Sequence, residues 1–138
     1  MFASSLEAEQ AFYAAFEAGD LEAMMRVWAY SFDIVCVHPA GPRLEGVDAI
    51  RRSWRHILAD PVLRSFDLRG RLVVGSDDIR IHTLEEHIGV PGSHLYAPPV
   101  LATNVYHRLD DGWRMILHHA SMLPPPGAPP PVPNGRVH

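Results

Sequence analysis

One cysteine, no lysine and no long apolar run are what this chain of 138 residues lacks. Cys36 stands alone, so no internal disulfide can close, and a reducing compartment is expected. No uninterrupted apolar stretch approaches the ~20 residues of a membrane helix, so no membrane partner is expected. Met1 to Glu9 has no basic flank and meets Glu7 and Glu9 where a signal peptide would be apolar, which makes cytoplasmic the expected location. All 12 basic residues are arginine, and against 16 acidic ones they leave a formal charge of -4. A net negative surface argues against non-specific phosphate binding, so nucleic acid is not an expected partner. No serine sits in a GxSxG elbow and no glycine run forms a phosphate cradle, so the motifs offer no support for an acyl hydrolase or a nucleotide enzyme. What is present is 47% hydrophobic and 20% charged residues, the balance of one compact domain.

The apolar spacing changes period midway. Leu6, Phe12, Tyr13 and Phe16 recur near helical spacing, Ser4 and Glu7 have capping-box spacing, and Gly19 supplies a left-handed exit, predicting a helix from Leu6 to Ala18. Asp20 caps a second, from about Leu21 to Ala29. Phe32 to His38 reads as a strand stopped by Pro39, Gly41 and Pro42, and a turn-rich loop follows. Ile50, Trp54, Ile57 and Leu58 place a third helix between Val47 and Ala59, ended by Asp60-Pro61. Phe66 to Val74, Ile79 to Val90, Val100 to Arg108 and Trp113 to Met122 carry strand composition, with Asp111-Gly112 as a hairpin turn. Seven of the 13 prolines fall between Pro124 and Pro133, where neither helix nor ladder can form. The expected fold is therefore α+β: a strongly curved antiparallel sheet packed on three N-terminal helices over residues 1–123, with an extended or disordered proline-rich tail at 124–138.

A curved sheet leaves a cone, and polar side chains inside it need partners or a ligand. With a two-residue turn at Asp111-Gly112, Tyr106 pairs with Leu117 and Asn104 with His119. Asn104, Tyr106, Leu117, His119 and Ser121 then face inward, and His118 faces outward. One of Glu85 and Glu86 faces in. An enclosed carboxylate has its pKa raised by desolvation and can act as an acid or base near neutrality, whereas a solvated one has no such role. His38 ends the first strand at the mouth, where it is either a base and donor or a histidine satisfied by backbone. Cys36 shares its strand face but reads as a small hydrophobe. Nine histidines invite a metal reading, yet there is no HExxH or matched His/Cys pair, so no metal is expected. The outer sheet face is apolar enough to need a cover, and a second copy is the simplest one.

The segments AFYAAFEAGDLEAMMRVW, VCVHPAGPRLEGVDAIRRSW, TLEEHI and ATNVYHRLDDGWRMILHHAS occur in an order that resembles the SnoaL-like domains of the nuclear transport factor 2-like superfamily, over roughly residues 5 to 123. The resemblance implies a cone-shaped α+β barrel, a pocket at its wide end and a homodimer through the sheet. Function varies among such domains, from ketosteroid isomerase, scytalone dehydratase and polyketide cyclases to non-catalytic binding and assembly modules. Set beside ketosteroid isomerase, the base position falls at His38, the oxyanion aspartate at Asn104 and the helix tyrosine at Phe12, with Tyr13 about 100° further round the helix. The closing LHHAS is similar to the H-x-H-x-S strand of the calcium/calmodulin-dependent kinase association domain, with Leu117 in place of the first histidine. The expectation is a domain that binds a small, mainly apolar molecule, with His38 and Glu86 as proton-transfer residues and Asn104, Tyr106, His119, Phe12 and Trp54 as ligand contacts. Any reaction would be cofactor-independent isomerisation, cyclisation or dehydration; the alternative is a non-catalytic binding or oligomerisation module.

Overall fold

The computed structural model describes residues 1–31, 33–62, 64–94 and 97–123. The proline-rich segment expected as a tail lies outside them. Helix α1 spans Ser5–Ala18 and α2 Leu21–Val27; the short strands β1 (Val35–Val37) and β2 (Arg43–Glu45) precede α3 (Val47–Leu58). Four long strands follow: β3 (Ser65–Gly75), β4 (Ile79–Gly89), β5 (Val100–Leu109) and β6 (Gly112–Met122). The helix ends obey local chemistry. Ser4 Oγ accepts the Glu7 amide at 3.1 Å, Gly19 leaves α1 at φ 66°, and Asp20 Oδ1 accepts the Ala23 amide at 3.0 Å to start α2.

The sheet runs β2-β1-β6-β5-β4-β3, curved against the three helices and not closed. It departs from the expected antiparallel meander at one end. Part of the loop after β1 pairs antiparallel with it as β2, and β1 runs parallel to β6. The core joins Phe12, Met24, Trp28, Ile34, Ile50, Trp54 and Met115, all essentially inaccessible. Phe12 holds its centre, edge-on to Tyr13, Phe16 and Trp54 at ring-centroid distances of 4.9, 6.2 and 5.5 Å.

The late hairpin differs from the expected register, and the difference decides which side chains enter the cone. Leu109 pairs with Gly112, so Asp110 and Asp111 form the turn. Gly112, at φ 118°, lies under the N-terminal segment, where a Cβ would come within 2.8 Å of the Phe2 carbonyl oxygen. Further along, Tyr106 pairs with Met115 but Val105 pairs with Leu117, which leaves Ile116 as an extra residue on β6. A one-residue bulge exchanges the two faces beyond it. Trp113 and Met115 therefore point inward, and past Ile116 the buried residues are His118 and Ala120. His119, expected inside, is exposed on the outer face, and Ser121 with it.

No helix among the described residues is long and apolar enough to cross a membrane. Phe12→Ala should cost about 3 to 5 kcal/mol in a urea-unfolding titration, because the ring has no way to be replaced by collapse of its aromatic neighbours. Leu6→Ala, at a helix position 43% exposed, should cost no more than ~0.5 kcal/mol.

Candidate functional site

Three polar residues of α1, at positions i, i+4 and i+8, face the sheet: Ser5, Glu9 and Tyr13. Opposite them, register places Val73, His82, Asn104, His118 and Cys36 in one inner row across five strands. Glu86 lies two rows nearer the other end, on the same face of β4 as His82. All three polar helix residues, and His82, Glu86, Asn104 and His118, are buried. Glu85 is directed outward, where it meets His87 at 3.1 Å.

Four of the buried groups form one directed chain. His118 Nδ1–H donates to Asn104 Oδ1 at 2.6 Å, Asn104 Nδ2 donates to Tyr13 Oη at 3.0 Å, and Tyr13 Oη donates to Glu86 Oε2 at 2.6 Å. Each group polarises the next, and all three donors point towards the carboxyl. The His118 tautomer follows, since an amide oxygen only accepts and the ring proton must sit on Nδ1. Burial pushes the Glu86 carboxyl up to about 7, against the downward pull of the Tyr13 hydrogen bond. Burial holds His118 down to about 3, with His38 and His119 adding to the effect, so its ring stays neutral. The Tyr13 hydroxyl is raised well above its usual range by burial and by Glu86.

His38 follows β1 and is half-buried against Trp54, with ring centroids 4.8 Å apart and the His118 ring 6.3 Å away. Ser53 Oγ gives its hydrogen to the Ile50 carbonyl at 2.8 Å, so the 3.0 Å contact to His38 is donated by His38 Nε2–H. Nδ1 is then the basic nitrogen. Burial lowers its pKa, which keeps the imidazole neutral and able to accept a proton. Cys36 Sγ lies 3.5 Å from His38 Nε2, but burial pushes the thiol up to about 12 and removes it as a thiolate nucleophile.

Of the residues singled out from sequence, His38, Glu86, Asn104, Phe12 and Trp54 gather around this chain. Tyr106 is equally buried but meets the His82 ring edge-on, with centroids 4.8 Å apart. His119 is not in the group; His118 occupies the place expected for it. Sequence reading gave Tyr13 no role beyond its place beside the expected helix tyrosine, put His118 on the outer face, and did not single out Ser5, Glu9 or His82 as site residues. The four-residue spacing of Ser5, Glu9 and Tyr13 was a usable signal for the helix. Surface cavities of about 620 Å³ beside His56 and Arg64 and about 450 Å³ beside Tyr30 and Arg52 are lined by other residues. No cluster of three or more metal-binding side chains occurs among the described residues.

Glu86 makes stability depend on pH. Its folded carboxyl titrates near 7 and the unfolded one near 4.5, so its stabilising contribution is full below about 4.5 and declines as pH rises through 7. His118 works in the opposite sense between about 3 and 6.5, which makes the wild type alone a poor reporter. Urea titrations at pH 5 and pH 8 should show Glu86→Gln gaining on the wild type by an amount of order 3 kcal/mol. Parallel stabilities at the two pH values would contradict the assignment.

Known proteins resemble this chain along most of its length. The SnoaL-like domain family matches residues 6–125. A structure from Thiobacillus denitrificans, provisionally assigned as a calcium/calmodulin-dependent protein kinase type II association domain, is 38% identical with a TM-score of 0.85, covering 90% of this chain and 98% of that one. A Streptomyces avermitilis protein of the NTF2-like family, provisionally assigned as a dehydratase, is 34% identical with a TM-score of 0.76, covering 86% and 92%. Among curated sequences, the F-box protein SKIP8 of Arabidopsis thaliana is 29% identical over 108 residues, which are 75% of this chain. The chain spans only 42% of that relative's length.

Proposed function

The chain belongs to the SnoaL-like domain family, and from that premise we propose that it binds a small, mainly apolar organic molecule at the mouth of its cone and exchanges a proton with it through Glu86. The observation that carries this reading is the carboxyl at about 7 closing a chain of three aligned hydrogen bonds. A group half-ionised near neutrality serves as base and then as acid in one cycle, which isomerisation, cyclisation and dehydration all require. Tyr13 is the donor placed to follow the charge. As Glu86 takes a proton, the Tyr13 hydroxyl is released to a developing oxyanion, with Asn104 and His118 polarised behind it. The ligand contact expected of His119 passes to Tyr13 in this reading. His38 Nδ1 supplies a second acceptor at the half-open edge, and Phe12 and Trp54 supply apolar walls. The 34% identity to a protein assigned as a dehydratase is consistent with such chemistry. No cofactor takes part in this proposal.

Thermal-shift titration with small ketones, phenols and enols at pH 7 tests the reading. At least one should raise Tm, and Glu86→Gln and His38→Ala should each weaken that shift by tenfold or more in apparent Kd. If no compound shifts Tm, or both variants respond like the wild type, the ligand site is not here.

The 38% identity to a protein assigned as an association domain favours a second reading, an assembly module. The outer sheet face presents Ile81, Val105 and Leu117 in one row, with Leu72 and Leu101 beside them, and a second copy is the proposed cover. In sedimentation velocity the wild type should run as a dimer or larger, and Val105→Glu should shift it towards monomer; a monomeric wild type would end this reading.

A further inference from the structure

Ser5, His82 and Glu9 lie outside the chain that ends on Glu86, and the proposed proton exchange makes no use of them. His82 sits mid-strand in β4 with its ring inaccessible. Its Nδ1 is 3.2 Å from Glu9 Oε2 and its Nε2 is 2.9 Å from Ser5 Oγ. A carboxylate only accepts, so the ring proton sits on Nδ1 and Nε2 turns its lone pair to the serine hydroxyl. This is the connectivity a serine base needs, with carboxylate on one ring nitrogen and hydroxyl on the other. Arg71 Nε donates to the same Glu9 oxygen at 2.9 Å and supplies a permanent counter-charge. It reaches inward because β3 is irregular between Arg69 and Leu72, where Gly70 takes φ 65°.

Unused polar atoms lie beside this trio. Ser5 is the first residue of α1, and Ser4 Oγ takes only the Glu7 amide, so the amides of Ser5 and Leu6 have no intrahelical acceptor. Tyr106 Oη and Glu9 Oε1 are buried without a hydrogen-bond partner among the described residues. A pin between helix and sheet would need the Ser5–His82–Glu9 contacts alone; it would not need a spare phenol against the imidazole or free amides at the hydroxyl.

We propose that Ser5 is an activated nucleophile, with His82 as its base and Glu9 as the orienting carboxylate, in a second site that accepts the acyl group of a small ester. Ser5 Oγ adds to the ester carbonyl while its proton passes to His82 Nε2. The bond to the alcohol then breaks, and that proton departs with the alcohol. Water attacks acyl-Ser5 with its proton taken by His82, releasing the acid and restoring the hydroxyl. The amides of Ser5 and Leu6 are the donors for the carbonyl oxygen in both steps. Ser5 keeps 9% exposure, the edge from which an ester would reach it.

The full chain treated with diisopropyl fluorophosphate, and separately with p-nitrophenyl acetate, is digested and mapped by mass spectrometry. Ser5 should carry the diisopropylphosphoryl and acetyl groups, and His82→Gln should slow its modification roughly 10²- to 10⁴-fold. The wild-type rate should rise with pH and reach a plateau as a single base titrates. An unmodified Ser5, equal rates in His82→Gln, or a rate that climbs with hydroxide without a plateau overturns the proposal. If His82→Gln fails to fold, the wild-type adduct and its pH profile decide alone. The adduct is read with no cone-mouth ligand present, so failure here is distinguishable from failure of the cone-mouth reading.

Discussion

The structure depends on one constraint: polar side chains of α1 face a polar row of the sheet with no water between them. Ser5 keeps only an edge of contact with solvent, and Glu9, Tyr13, His82, Asn104, His118 and Glu86 have almost none. A buried polar group without a partner costs about 1 to 3 kcal/mol, more if charged, so the helix and sheet must meet in the one register that pairs them. Apolar packing around Phe12 and Trp54 provides the bulk of the driving force but would tolerate some sliding. The hydrogen bonds select the docked position.

Two single-residue irregularities make that pairing possible. Ile116 on β6 exchanges the strand's faces, bringing His118 rather than His119 to Asn104. Gly70 on β3 turns Arg71 back towards Glu9. Neither was legible in the sequence. Ile116 sits in an apolar run whose alternation is compatible with either phase, and no glycine marks the bulge. Gly112, the expected turn residue, is instead held beneath Phe2. The long elements were legible because their signals are redundant: caps at Ser4 and Asp20, a left-handed exit at Gly19, aromatic residues at helical spacing. Site residues in regular stretches, Glu86 and Asn104 among them, came out on the expected face for the same reason. His119 did not, since a face assignment fails wholly when one residue is inserted between it and its reference.

The two buried carboxylates show how environment divides similar groups. Glu9 meets a guanidinium, an imidazole N–H and a free oxygen lone pair; Glu86 meets one neutral phenol. The first is set in an ionic arrangement, and the second is left where proton gain and loss are nearly balanced. A scaffold that keeps Glu86 so poorly compensated gives up stability at neutral pH that a glutamine would retain, and such a sacrifice is a common mark of function.

Poise alone does not make an enzyme, since the interior around Glu86 is occupied by the protein's own rings. A ligand must either displace Phe12 and Trp54 from edge-to-face contacts or stop at His38, where the wall is only half closed. The second route is the less costly, because His38 and Ser53 already form a polar rim and the Glu86 chain begins just behind it at His118. A ligand held at the rim meets His38 first; the proposed exchange with Glu86 and Tyr13 needs the first route as well. A change of hydrogen bonding at His118 alters how strongly Asn104 polarises the Tyr13 hydroxyl, and through it the proton affinity of the carboxyl. On this physical basis the mouth and the carboxyl form one site, and the same connection lets an assembly domain retain the network as a structural remnant with no ligand at all.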